Sequence, residues 1–160
     1  MALQPLRRDP ALVPLSHDHH DGLMAAVRLK QGRSAYNGEP DIVESIRQLW
    51  EDDLCPHFEQ EETLLFVHPW PEEIREMVDR ALAEHQTMRA LVDLVAGKVE
   101  PEDNARQLGA LLEAHIRFEE RVMFGAMQSV LSEREIADIG SAIAAMRRPK
   151  ACRIRPGDRT

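Results

Sequence analysis

The sequence predicts an all-α protein: an up-down-up-down four-helix bundle with a short fifth C-terminal helix and a basic tail. Three observations point there. No stretch alternates apolar and polar residues for the length of a strand, and aromatic residues make up only 4% of the chain. Apolar residues instead recur at helical spacing through four long segments, separated by breaks that carry glycine or proline. A chain of 160 residues, 43% of them hydrophobic, is the right size for one domain around one core.

Residues 1–14 read as an N-terminal arm with two arginines and no apolar run, so no secretory signal is expected there. The bundle spans 15–131. Ser16 is placed to cap the first helix, with Leu23 and Val27 marking its inward side and Gly32 closing it. A loop follows to Pro40. Asp41, with Glu44 three residues on, forms a capping-box start for the second helix. Ile42, Ile46, Leu49, Leu54, Phe58 and Leu65 then keep the helical period. Pro56 removes one backbone donor inside this helix and predicts a kink one turn before His57. The third helix opens at Pro71 and runs to Gly97; Pro101 opens a fourth, which reaches about Leu131. Ser132 with Glu135 makes a second capping box, starting the short helix of 132–147, and 148–160 read as a flexible basic tail.

The chain has 20 Lys+Arg against 28 Asp+Glu, a net charge of -8, which excludes nucleic acid as the main ligand. No apolar run approaches the roughly 18 residues of a membrane span. Cys55 and Cys152 cannot staple a fold of this size and read as free thiols in a reducing cytoplasm. Charge is unevenly placed: residues 147–160 hold Arg147, Arg148, Lys150, Arg153, Arg155 and Arg159 against Asp158 alone. Such a tail can fold back on an acidic body, or meet an acidic partner protein or a second copy of the chain.

An internal repeat points to chemistry. His57-Phe-Glu-Gln-Glu-Glu-Thr-Leu-Leu-Phe66 aligns without gaps on His115-Ile-Arg-Phe-Glu-Glu-Arg-Val-Met-Phe124, matching at the histidine, at both glutamates and at the final phenylalanine. Each copy lies on the second helix of a hairpin whose first helix also carries histidine, in the His17-Asp-His-His20 cluster and at His85. Residues four apart on a helix face the same way, so His57/Glu61 and His115/Glu119 each aim an imidazole and a carboxylate at one point. Apolar neighbours, among them Leu54, Phe58, Leu112 and Val122, draw these pairs inward, where an unpaired carboxylate is costly and a cation removes the cost.

On the first helix, His19 and His20 lie four and three residues before Leu23 and can both point in; His17 is offset. His68, beside Pro69, reads as a surface residue. The candidate metal ligands are therefore His19, His20, His57, Glu61, His85, His115 and Glu119. Seven donors are too many for one tetrahedral zinc; two carboxylates bridging two metals use them all. Histidine with carboxylate suits iron, manganese or zinc. Glu62 and Glu120 turn about 100° away and read as partners of the ligands instead.

In these motifs the sequence resembles the hemerythrin-like, HHE cation-binding family. The matching residues are Leu15-Ser-His-Asp-His-His-Asp-Gly-Leu23, His57-Phe-x-x-Glu61-Glu62, Glu84-His85 and His115-Ile-Arg-Phe-Glu119-Glu120. The resemblance implies a four-helix bundle around a non-haem diiron centre, with Glu61 and Glu119 bridging and the five histidines terminal; zinc or manganese are its substitutes. The oxygen-carrying hemerythrins have two histidines four apart on the third helix, and here Arg89 holds the second position. A second histidine of the first helix replaces that ligand, or one iron is left more open. The resemblance further implies a protein that binds or senses O2, NO or peroxide, which the free cysteines place in the cytoplasm. An enzyme of peroxidase, nitric oxide reductase or iron-repair type, or an iron- or oxygen-responsive regulatory module, stands as the alternative.

Overall fold

Along α1 (Val13–Lys30) the buried residues are Leu15, His19, Gly22, Ala25, Ala26 and Leu29, so the middle of the buried stripe is made of small side chains. That stripe lets α1 lie close to the helix that begins at Pro101, at a point where a Cβ on Gly109 would sit 2.7 Å from the Ala26 carbonyl oxygen and 2.9 Å from Leu29 Cβ. These contacts come from a computed structural model, which describes residues 7–147. The predicted basic tail, 148–160, lies outside the described residues.

Five helices pack as a bundle, and no strand occurs among the described residues. After α1, α2 is one run of helix that passes from Ile42–Leu49 through a π-helical turn at Trp50–Leu54 to Cys55–Gln60, then through a second π turn at Glu61–Leu65. Helix α3 is Glu72–Ala96. Helix α4 runs from Pro101–Phe118 through a π turn at Glu119–Met123 to Phe124–Val130, and α5 is Glu133–Met146. Helix α4 packs along both α1 and α3.

The expected start signals hold in part. Asp41 caps α2 by accepting from the backbone N–H groups of Val43 and Glu44, but its own N–H goes to Glu39 rather than to Glu44. The Ser132/Glu135 capping box is complete, with bonds of 3.2 and 2.8 Å. Ser16 is no cap: α1 begins at Val13, with Pro14 in its first turn, and the Ser16 hydroxyl donates to Glu120 across 2.7 Å. In the region where Pro56 predicts a kink, the helix widens into the π turn Trp50–Leu54, closed by the Cys55 N–H on the Trp50 carbonyl.

Two expected inward apolar residues face solvent, each for a structural reason. Val27 is 43% exposed, because the close approach at Gly109 turns the Gly22/Ala26 stripe of α1 inward, leaving Leu23 partly buried at its edge and Val27 outside. Val122 is 44% exposed, because the π turn inserts one residue into the helical register and hands the inward position to Met123.

The core has two parts. Ile46, Leu49, Phe58, Met88, Leu108 and Leu112 belong to one apolar cluster; Leu12, Leu15, Leu65, Phe66, Met123, Phe124 and, from α5, Ile139 and Ile143 belong to the other. A layer of buried polar side chains lies between the two.

Candidate dimetal centre

Each half of the repeat starts a π turn at its inner glutamate. Glu61 and Glu119 are the first residues of Glu61–Leu65 and Glu119–Met123, and the Phe66 and Phe124 N–H groups close the turns on their carbonyls. One α-helical turn earlier stand His57 and His115, so the histidine and glutamate of each pair project together, with Nε2 to carboxylate distances of 3.1 and 3.2 Å. The final phenylalanines of the repeat then reach across the bundle. Phe124 stacks on His19 with ring centroids 5.5 Å apart, and Phe66 on His85 at 5.7 Å. Phe58 lies against the other face of the site, stacked on His85 at 3.8 Å.

Four imidazoles meet two carboxylates. His19 Nε2 is 2.9 Å from His57 Nε2, and His85 Nε2 is 3.1 Å from His115 Nε2. Between these pairs lie Glu61 and Glu119, both fully buried. Glu61 Oε1 faces His57 at 3.1 Å, while its Oε2 faces His85 at 3.3 Å. Glu119 Oε2 faces His19 at 3.0 Å, while its Oε1 faces His115 at 3.2 Å. Each carboxylate therefore offers one oxygen to each histidine pair. Two overlapping donor groups result, His19/His57/Glu61/Glu119 and His85/His115/Glu61/Glu119.

Every Nδ1 is turned outward onto a second carboxylate. Asp18 holds His57 at 3.1 Å and Glu84 holds His115 at 2.7 Å, each reaching across from the first helix of the same hairpin. Glu62 holds His85 at 2.7 Å and Glu120 holds His19 at 2.6 Å, each reaching across to the other hairpin. An Nδ1–H donated in this way leaves the Nε2 lone pair directed at the centre of the bundle.

A cation suits these residues on two grounds. All four oxygens of Glu61 and Glu119 are buried without a hydrogen-bond partner, a costly arrangement unless positive charge sits among them. Donor atoms about 2.1 Å from a shared ion and at right angles to one another are about 3.0 Å apart, close to the separations within each group. Without a cation, protons take its place. Burial pulls an imidazole pKa down, but Glu61 and Asp18 raise His57 to about 9, and Glu119 and Glu84 raise His115 to about 10. His19 is likewise pushed well up, against its burial, by Glu119, Glu120 and Glu61. Burial raises the Glu61 and Glu119 pKa values, and the surrounding imidazoles more than reverse this and hold both groups ionised.

The hemerythrin HHE cation-binding domain matches residues 11–127, spanning all four helices that carry these ligands. The chain belongs to the hemerythrin HHE cation-binding family. No curated protein and no solved structure matches it.

Of the seven residues singled out in the sequence, the hemerythrin domain brings six together. His20 stands apart. It is exposed on α1, seven residues before the exposed Val27 and so on the same outer side, because the inward side of α1 is the stripe of His19 and Gly22. His17 is also exposed, and His68 lies 3.7 Å from Glu135 with its ring tilted on Trp70. Arg89 donates to Glu62 and supplies no ligand. The residues that sequence reasoning missed are Asp18 and Glu84 as partners of the ligands. Their signal was present, since each is the acid directly before an inward histidine, Asp18-His19 and Glu84-His85.

Proposed function

We propose that this protein is a non-haem diiron protein that binds or senses O2 or another small oxidant or diatomic, such as NO or peroxide. The observation that carries the reading is the pair of overlapping donor groups, each with two imidazole nitrogens and two carboxylate oxygens. Four protein donors per ion leave coordination positions free for a small ligand on both ions. A pair of irons supplies the redox electrons for such a ligand. The protein's part is to fix the four Nε2 atoms, to hold the two carboxylates ionised, and to surround the site with Phe58, Phe66 and Phe124.

Iron is preferred on the resemblance to hemerythrins, while the mixed imidazole and carboxylate donors accommodate zinc and manganese as well. Cytoplasmic placement is part of the proposal, supported by Cys55 as a free thiol. The test is metal analysis together with anaerobic ultraviolet–visible spectra of the ferrous protein before and after O2, NO or hydrogen peroxide. About two irons per chain, with a new absorption band on adding one of these ligands, supports the reading. One metal or fewer per chain, or two metals with no response, overturns it.

A second reading, a diiron enzyme of peroxidase, nitric oxide reductase or iron-repair type, draws on the free positions at both halves of the site. Repeated turnover with hydrogen peroxide or NO and a reductant separates it from binding alone.

A further inference from the structure

Behind each imidazole the chain of partners continues by one more residue, always an arginine. Arg147 forks onto Asp18 through two bonds, of 2.6 and 3.1 Å. Arg8 donates to Glu120 Oε2 at 2.8 Å and to the Glu120 carbonyl at 2.7 Å. Arg89 donates to Glu62 at 2.9 Å, and Arg80 to Glu84 at 2.9 Å. All four relays read arginine, carboxylate, imidazole, site.

The relays differ in where their arginines come from. Arg80 and Arg89 sit on α3, the helix that also carries His85 and Glu84. They support the His85/His115 half from within the four-helix core. Arg8 precedes α1 and Arg147 follows α5, so both arginines of the His19/His57 half come from segments outside the four helices, and α1 adds only the Ser16 hydroxyl on Glu120. Arg8 is further seated by Gln128, which accepts from its guanidinium at 3.2 Å, and its guanidinium lies 5.1 Å from the Phe124 ring centroid. Arg147 is carried by α5, whose Ile139 and Ile143 are buried in the apolar cluster below the site.

We infer that Arg8 and Arg147 are positioning residues for one metal subsite, so that docking of the N-terminal arm and of α5 sets the affinity of the His19/His57 half while the His85/His115 half is independent of it. A carboxylate that must hold an imidazole in one orientation has to be held itself, and a guanidinium supplies both the opposite charge and a fixed fork. If α5 lifts away, Asp18 loses its arginine, and if the arm does, Glu120 keeps only the Ser16 hydroxyl; the imidazole that each orients is then freer to turn. The inference rests on the dimetal reading. It gives the two halves unequal dependence on segments outside the four helices that carry the ligands.

The experiment is an anaerobic titration of the full-length metal-free protein with ferrous ion, resolved into two binding steps. H57A and H115A variants assign the steps to the two halves. Arg8→Gln and Arg147→Gln should each weaken the His19/His57 step about tenfold and leave the other step within about twofold. Arg80→Gln should do the reverse. In the H57A background, Arg147→Gln should have no further effect. Arg147→Lys, which keeps the charge and loses the fork, should recover part of the affinity; a role limited to general stability would move both steps together. Equal losses at both steps, or unchanged affinities in Arg8→Gln and Arg147→Gln, overturn the inference and leave the dimetal reading standing. Wild-type protein that fails to take two ferrous ions defeats the dimetal reading, and this inference falls with it.

Discussion

Arg89 and His85 share one oxygen: Glu62 Oε1 accepts the Arg89 guanidinium at 2.9 Å and the His85 Nδ1–H at 2.7 Å. Arg89 occupies the position where oxygen-carrying hemerythrins have a further ligand, and here it stands one carboxylate away from the site. Arg89→Leu should therefore weaken metal binding about tenfold without reducing the number of metals bound. The pair is half-exposed and worth about 0–1 kcal/mol to the fold, so the melting temperature of the metal-free protein should barely change. Loss of a metal equivalent in Arg89→Leu would mean that the residue does more than orient Glu62.

Glu61 and Glu119 should behave unlike their neighbours Glu62 and Glu120. Glu61→Ala or Glu119→Ala removes a carboxylate facing both histidine pairs, so metal content should fall by about one ion per chain and the stabilisation by metal should shrink with it. Glu62→Ala or Glu120→Ala removes only the support of one imidazole. Both metals should still bind, with affinity lowered about 10–100-fold. Elemental analysis and thermal melts of the four variants decide this. If Glu62→Ala and Glu120→Ala lose metal while Glu61→Ala and Glu119→Ala keep it, the ligand assignment is wrong by one residue.

Proton release should accompany metal loading. In the metal-free protein the neighbouring carboxylates push His57 up to about 9 and His115 up to about 10, so at pH 7 each carries a second ring proton, which a metal at Nε2 must displace. Affinity should rise with pH up to that range, and calorimetry at pH 7 in buffers of different ionisation enthalpy should show net proton release. The same shifts fix the pH dependence of the metal-free fold. Because these imidazoles titrate higher in the folded chain than the usual value of about 6.5, their contribution is complete below about pH 6.5 and is lost as pH rises through 9 to 10. Metal-free protein should lose stability across that window, whereas loaded protein should not. A flat stability profile for both forms would contradict the imidazole–carboxylate arrangement.

Gly109→Ala should disturb the site from a distance. The new methyl would lie 2.7 Å from the Ala26 carbonyl oxygen and 2.9 Å from Lys30 N, both on the backbone of α1. Relief requires α1 to move away from α4, at a cost of about 1–3 kcal/mol. Since α1 carries His19 and Asp18, metal affinity should fall as well, more for the His19/His57 half than for the other. Unchanged stability would show that the two helices are not closely held at this point.

Ser132→Ala tests the start of α5. It removes the acceptor of the Glu135 N–H and should cost about 1 kcal/mol of stability in a thermal or denaturant melt.

How much of this was legible in the chain follows from the distance over which each feature is decided. Helix type and most helix ends are local. The Asp41 and Ser132 caps, Pro71 and Pro101 specify where helices begin with little help from the rest of the molecule. The ligands repeated at four-residue spacing, His57/Glu61 and His115/Glu119, are local too, because one helical turn places both groups on one face. Features set by contact between helices were not legible in this way. The rule that bulky apolar residues mark the buried side places His20 and Val27 inward, but α1 turns its glycine and alanine stripe inward so that its backbone can meet α4 at Gly109. The outward position of Val122 follows from a π turn that adds a residue to the register, at the helix segment that carries Glu119. The partnerships of Asp18 with His57, Glu84 with His115, Arg8 with Glu120 and Arg147 with Asp18 join residues 31 to 129 positions apart. Spacing along a helix carries no information about such pairs; they exist only once the hairpins have packed and the arm and α5 have closed on them. The sequence by itself determined that the protein is a helical bundle with paired histidine and glutamate ligands. Tertiary packing decided which imidazoles face the centre, how each is held, and that the two halves of the site are supported from different parts of the chain, because burial and orientation are properties of surfaces in contact rather than of one helix alone.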